Sequence, residues 1–130
     1  MREILFRGKR VDANEWVEGY LVRTVDDKTI IVTRARDLDD FGKFQIDSWE
    51  VLAGTVGQFT GLHDKNKKRI WEGDILKHDL WGKSVIGYDR DGFRGVGGDH
   101  DVCLADHQLK RSRVIGNISD NLELLKDKNV

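Results

Sequence analysis

Residues 55–75, TVGQFTGLHDKNKKRIWEGDI, decide the fold. Two short apolar segments, 59–62 and 70–71, flank a polar turn at residues 63–69, which predicts two strands joined by that turn. The glycines permit positive φ or the close approach of a neighbouring backbone. Glu72-Gly73-Asp74 predicts a tight change of direction, in which the Asp74 carboxylate accepts backbone N–H groups. We interpret this central block (residues 55–75) as structural, with a binding site as the alternative.

The rest of the chain continues this alternation of short apolar segments and turns, with 14 glycines and no proline. Residues 34–42 are interpreted as an exposed loop and residues 95–101 as a mobile loop, and a short helical turn carries Leu122, Leu124 and Leu125 near the end. The sequence therefore predicts a mainly β fold of short antiparallel strands with a short C-terminal helical turn. The predicted strands lie at residues 2–7, 15–24, 29–33, 74–78, 84–88 and 114–118. A further β region starts near Phe44 and passes through residues 49–52 and 55–59.

At 130 residues the chain predicts one domain, residues 1–130, which admits sub-lobes at 1–53 and 54–130. Apolar residues make up 38% and charged residues 35%, which indicates a modest core under a charged surface, or burial completed by a second subunit. The formal net charge of -1 creates no overall field that attracts nucleic acid or membrane. Binding of either kind therefore requires a local patch.

Cys103 is the single cysteine, so neither an intramolecular disulfide nor a CxxC zinc pair is present, which favours a reducing cytosol. The first ten residues carry charges every few positions, and no apolar stretch has the length of a signal peptide core or a membrane-spanning helix. We expect a soluble intracellular protein without membrane association.

Four stretches together resemble one known family. They are ILFRGK at 4–9, WVEGYL at 16–21, the central block, and VIGNI at 114–118 followed by Asn121 and residues 123–125. In these stretches, and in register along essentially its whole length, the chain resembles the YopX family of proteins encoded by phages and prophages of Gram-positive bacteria. One departure is Leu122, where the family usually has proline, which affects the rigidity of the last helical turn.

The resemblance implies a phage or prophage origin, a host-cytoplasmic location and a β-rich fold with a small SH3-like barrel. It implies no mechanism, because the family is itself uncharacterised and has no agreed catalytic residues. We accordingly predict no catalytic residue, no cofactor and no resident metal.

Basic residues cluster in turns and suggest a nucleic-acid surface. If the fold brings two clusters together beside an exposed Trp71 or Trp81, the arrangement is typical of single-stranded nucleic-acid binding by small β-barrels. The alternative is that each cluster is a solvated turn balanced by acids such as Asp64 and Glu72. Arg34 and Arg36 add a third pair of cations. The predicted nucleic-acid residues are Lys65, Lys67, Lys68, Arg69, Lys110, Arg111 and Arg113.

A metal-dependent hydrolase is a third hypothesis. It would gather His78-Asp79, residues 99–101 and Asp106-His107, with Asp74 nearby, but no recognised ligand spacing such as HExxH is present. Cys103 lies between apolar neighbours and is interpreted as a buried inert thiol.

Four tryptophans are many for so polar a chain, and core packing is their default role. Tryptophan is also enriched at interface hot spots, and open strand edges must be covered, charged or paired. The leading prediction is a non-enzymatic β-scaffold that forms a homo-oligomer and binds a host or phage macromolecule. Its predicted assembly residues are Phe59, Leu62 and Trp71.

Overall fold

The protein is described by a computed structural model that covers residues 4–80, 82–90, 92–97, 100–104 and 106–125, with the backbone alone for 100–103, 106 and 107. The chain divides into two compact units, residues 1–58 and 59–130. Every strand pair in the described residues is antiparallel, so the predicted mainly β class is confirmed. Within the described residues, no helix has the length and apolarity needed to cross a membrane.

The first unit is an antiparallel sheet with the strand order β4-β3-β2-β1-β5. Strand β5 begins here, where Gly57 and Gln58 follow a 3₁₀ turn and pair with β1, and its later residues belong to the second unit. The elements are β1 Phe6–Lys9, β2 Trp16–Arg23, β3 Thr29–Asp37, β4 Phe44–Glu50, the 3₁₀ turn Ala53–Thr55 and β5 Gly57–His63.

Strands β2 and β3, which the sequence predicted at residues 15–24 and 29–33, pair as a hairpin with Tyr20 opposite Val32. The prediction of a loop over residues 34–42 is wrong for its first four residues, because β3 continues to Asp37 and pairs with β4. A register shift between Val32 and Arg34 marks a bulge, after which charged residues alternate along an exposed pair of strands. Charge alone therefore did not distinguish an exposed strand from a loop.

The sheet does not close into a barrel. An isolated bridge joins Arg10 to Val51, and the Val11 N–H donates to the Glu50 carbonyl at 3.0 Å, but no ladder continues from these contacts in the described residues. The Arg10 guanidinium lies 3.9 Å from the Trp49 ring centroid, and its hydrogen bond to Asp12 holds the pKa of that carboxyl below its usual value. The relation to SH3-like barrels that the resemblance implies stays a prediction.

The core of the first unit depends on a close backbone approach at Gly19. Ile31 is fully buried, and Leu5 and Val51 are nearly so. A Cβ on Gly19 would lie 2.1 Å from the Val32 carbonyl oxygen, which is far inside van der Waals contact. Only glycine permits β2 and β3 to pair at this distance above Ile31.

We predict that Gly19→Ala lowers the free energy of unfolding by about 2–3 kcal/mol, because the methyl group forces β2 away from β3. Gly54→Ala is the matched control, since nothing lies within 4 Å of a Cβ there, and we expect it to change stability by less than about 0.5 kcal/mol. Urea unfolding followed by tryptophan fluorescence measures both. Equal stability of the two variants would contradict the packing derived for Gly19.

The second unit contains a five-stranded antiparallel sheet in the order β10-β9-β8-β7-β11, and β5 pairs with β6 beside it. The predicted C-terminal helical turn is present. The prediction of a mobile loop at 95–101 is wrong for the described residues, which lie in β9 and β10. The elements are β6 Arg69–Trp71, β7 Asp74–His78, β8 Gly82–Asp89, β9 Gly92–Gly97, β10 His100–Cys103, α1 Asp106–Leu109, β11 Ser112–Asn117 and the 3₁₀ turn Leu122–Leu125.

The core of the second unit is an aliphatic cluster of Ile70, Leu76, Ile86 and Leu109. The chain reverses between β6 and β7 at Gly73, which has a φ of 90°. The buried Asp74 carboxylate accepts the Trp71 N–H at 2.7 Å, as the sequence predicted. The change of direction in the central block is therefore structural, and it returns the chain to the core on both sides.

Candidate functional site

The turn between β5 and β6 is organised by the carboxylate of Asp64, which is 6% exposed. Its Oδ1 accepts the N–H groups of Asn66 at 2.8 Å and Lys68 at 2.9 Å. The backbone closes the turn through a bond from Asp64 N–H to Lys68 O, and Lys67 adopts a φ of 65°. A buried, fully bonded aspartate is typical of a rigid turn, here one that presents cationic side chains to solvent.

The same carboxylate joins this turn to β11. Its Oδ2 accepts the Val114 N–H at 2.8 Å, and the Lys65 N–H donates to the Ser112 carbonyl at 3.0 Å. The turn before β11 is fixed in its own right, because the Ser112 hydroxyl and the Arg111 N–H both donate to the Gln108 carbonyl. The two basic turns of the sequence are therefore neighbours in the fold.

A cleft of about 410 Å³ opens beside this junction. The Lys65 ammonium lies 3.5 Å from the Asp79 carboxylate at its edge. In the part of the chain that the structure describes, neither Lys77 nor Arg113 has an ion-pair partner. The lining residues are Lys65, Asn66, Lys77, His78, Asp79 and Arg113.

Two of the lining residues, Lys77 and Arg113, belong to a row of cations that crosses three strands. Arg113 on β11 lies directly opposite Lys77 on β7, and Lys77 lies directly opposite Lys83 on β8. Residues directly opposite on antiparallel strands share one face, and like charges in such pairs destabilise the sheet. Lys83 is partly engaged, since its ammonium donates to the Leu124 carbonyl at 2.8 Å. The row is an electrostatic cost that a bound anion would offset.

A second cleft, of about 460 Å³, shares Lys65 with the first. Its apolar part comes from Leu62 and Leu109, and its rim carries Lys67 and Lys110. His63 also lines this cleft; its exposed ring meets Phe59 edge-on at 5.8 Å. Apolar and aromatic surface under a cationic rim suits a nucleobase with its phosphate.

The structure thus brings together four of the seven predicted nucleic-acid residues, Lys65, Lys67, Lys110 and Arg113, in two adjoining clefts. Lys68 and Arg111 are exposed beside them, and the Arg69 guanidinium lies 5.2 Å from the Phe59 ring centroid. Trp71 packs in the core, which is the default role, and is not the exposed ring that the nucleic-acid hypothesis required: the residue is 4% exposed and its ring packs on Phe59 at 5.3 Å. Trp81 lies outside the described residues.

Lys77 and Lys83 were missed by the sequence analysis. Both belong to short strands around a turn near residue 80, and pairing β7 with β8 as a hairpin centred there places residues 77 and 83 opposite each other. The signal was present in the spacing, but neither residue lies in a run of basic residues.

The predicted assembly residues have structural roles within the second unit. Phe59 is 7% exposed and Trp71 is 4% exposed, while Leu62 is half-buried and packs against the aliphatic core. Their part in self-association stays a prediction.

The histidine and carboxylate groups of the metal hypothesis are engaged in the fold where they are described. His78 accepts the Leu80 N–H at Nδ1 at 3.0 Å, and its Nε2 lies 3.0 Å from Gln108 Oε1. Among described residues no three metal-ligating side chains gather. Asp99 and the side chains of residues 100, 101, 106 and 107 lie outside the described part.

Comparison with known proteins gives a match over nearly the whole chain, since the family model described as YopX protein covers residues 5–126. Among solved structures, the crystal structure of protein EF1440 from Enterococcus faecalis is similar, with a TM-score of 0.71 and 25% sequence identity over 95% of this chain and 98% of that one. Curated proteins give no match.

We predict that Asp64→Ala lowers the free energy of unfolding by about 3 kcal/mol, because three backbone N–H groups lose a charged acceptor. Asp79→Ala is the control: this carboxylate is exposed and makes one long ion pair with Lys65, so the change is expected to stay below about 0.5 kcal/mol. The midpoint of urea unfolding measures both. Similar midpoints for the two variants would contradict the role assigned to Asp64.

Proposed function

The chain belongs to the YopX family, because the family model matches its residues 5–126. On that premise we propose that it is a non-enzymatic phage or prophage protein of the host cytoplasm. In this proposal the protein is a β-scaffold that self-associates and binds single-stranded nucleic acid as its macromolecular partner. The buried polar groups Asp64, Asp74 and His78 support a non-enzymatic role, because each is engaged in hydrogen bonds that hold the fold.

The row of Arg113, Lys77 and Lys83 carries the nucleic-acid part of the proposal. Three like charges in register on one face are unfavourable in the free protein. Phosphate groups along a nucleic-acid strand would neutralise them and release condensed counterions. The attraction between the phosphates and these three cations is local, so such binding is compatible with a net charge of -1 for the whole chain.

The second cleft favours a single strand over a duplex. Leu62 and His63 offer apolar and aromatic surface within reach of Lys65, which also lines the first cleft. A base that has left the stack can lie on such a surface while its backbone follows the cations. Bases inside a duplex are not available for this contact.

We expect a single-stranded oligonucleotide to bind with an affinity that falls as salt rises, with a log–log slope of about 0.7 for each phosphate contacted. Lys77→Ala and Arg113→Ala should each weaken binding and reduce that slope by about 0.7. Fluorescence anisotropy between about 20 and 200 mM salt measures this.

The matched control is Arg34→Ala combined with Arg36→Ala, which removes two exposed cations of the first unit and should leave binding unchanged. Absence of binding at the lowest salt would overturn the nucleic-acid proposal. Tighter binding of a duplex of the same sequence would overturn its assignment to single strands.

Exposed apolar residues in the first unit support self-association. Phe41 is 94% exposed, and Tyr20, Phe44 and Ile46 are each more than half exposed. Such exposed apolar side chains within one unit are typical of a surface that another chain covers. We expect the full chain to sediment as a dimer or larger species at micromolar concentration. Raising the protein concentration about 100-fold favours assembly by about 2.7 kcal/mol. A chain that stays monomeric over that whole range would contradict self-association.

A further inference from the structure

The free edge of the first unit's sheet has an unusual composition. Strand β4 ends the strand order, and in the described residues no strand pairs with its outer side. Along β4 the side chains alternate, so that Phe44, Ile46 and Ser48 share one face while Gln45 and Asp47 share the other. Phe44 and Ile46 are each 57% exposed. A long edge with an apolar face is a template for pairing with another chain.

The hydrogen-bond pattern fixes which backbone groups of β4 point outward. The Val51 N–H donates to Thr29 on β3, whereas the Glu50 carbonyl points the other way and accepts the Val11 N–H. Since successive residues of a strand point their backbone groups to opposite edges, those of Phe44, Ile46 and Ser48 point away from β3. Val11 covers the end of the edge at Glu50, so the open portion is residues 44–48.

We propose that β4 is a homodimer seam: two copies of this chain pair antiparallel through residues 44–48, with the two-fold axis at Ile46. This proposal rests on the self-association proposed above and adds its surface and register. In this register Ile46 lies opposite Ile46 of the second copy, Phe44 lies opposite Ser48, and the two chains exchange backbone hydrogen bonds at all three positions.

Charge selects this register over its neighbour. With the axis at Ile46, the Asp47 carboxylate of each copy lies opposite the Gln45 amide of the other, which can donate to it. With the axis one residue later, the two Asp47 carboxylates would oppose each other directly, which destabilises a strand pair. That neighbouring register would also require the Glu50 carbonyl, which already accepts the Val11 N–H. An axis at Gln45 would place Ser48 opposite Gly42, outside the strand, so the open edge pairs over its full length only about Ile46.

The two-fold axis stands perpendicular to the sheet, so equivalent faces of the two copies form one surface. Tyr20 lies in the same cross-strand row as Val32 and Ser48, on the face that carries Phe44 and Ile46. The seam therefore joins two exposed apolar faces into one continuous patch. The backbone hydrogen bonds along the edge set the relative orientation of the two strands. Contact between the apolar side chains of the two copies across the seam favours association.

Cysteine cross-linking tests the register directly. Directly opposite residues in a hydrogen-bonded antiparallel pair have Cα atoms about 5.5 Å apart, inside the range for a disulfide, whereas diagonal neighbours lie about 7–8 Å apart. On a Cys103→Ala background, we expect mild oxidation to convert Ile46→Cys to a covalent dimer at least 10-fold faster than Asp47→Cys. A mixture of Phe44→Cys and Ser48→Cys should give a mixed dimer.

Sedimentation of the reduced variants and of the Cys103→Ala parent separates the two ways in which the proposal can fail. If the parent is dimeric and Asp47→Cys cross-links as fast as Ile46→Cys or faster, this register is wrong. If it is dimeric and neither variant cross-links, assembly uses another surface and the seam is wrong while self-association stands. A monomeric wild-type chain at all concentrations overturns both.

Discussion

The Asp64 carboxylate is the constraint on which the arrangement of the second unit depends. It accepts two N–H groups from its own turn and a third from Val114, fifty residues further along the chain. Because a carboxylate has lone pairs on two oxygens, one buried group can satisfy a turn and a neighbouring strand together. The position of Lys65 beside Ser112 follows from this contact, and so does the meeting of two basic turns that the sequence separates.

Local chemistry predicted the parts of the fold that it controls. The reversal at Gly73 and the Asp74 carboxylate under Trp71 both follow from residues within a few positions of one another. The loop prediction over Arg34 to Asp37 failed because β4 supplies the hydrogen bonds that make this segment a strand. The charge of a segment does not show which distant segment it pairs with. An exposed strand and a loop can therefore have the same composition.

The candidate site was predictable to the same extent. The basic turn at Lys65 was visible as a run of charge, but its neighbour Lys77 was not, because cross-strand register decides which single lysine meets Arg113. Trp71 is buried and not exposed beside the basic turns for a similar reason. Its partner Phe59 lies on another strand, and the ring fills the space between them instead of facing solvent. Residue type identified the candidates, and topology decided their roles.

Each unit has one surface feature that lowers the stability of the free protein: an open apolar strand edge in the first unit and a row of like charges in the second. The first leaves Phe44 and Ile46 on an open strand edge, where charged or shortened edges are the usual protection. The second aligns Arg113, Lys77 and Lys83 on one face, where alternating charge would stabilise the sheet. Packing elsewhere does not require either arrangement, since these side chains lie outside the buried cores. A specific partner that covered either feature would remove its cost, and such local conflicts are expected at functional surfaces.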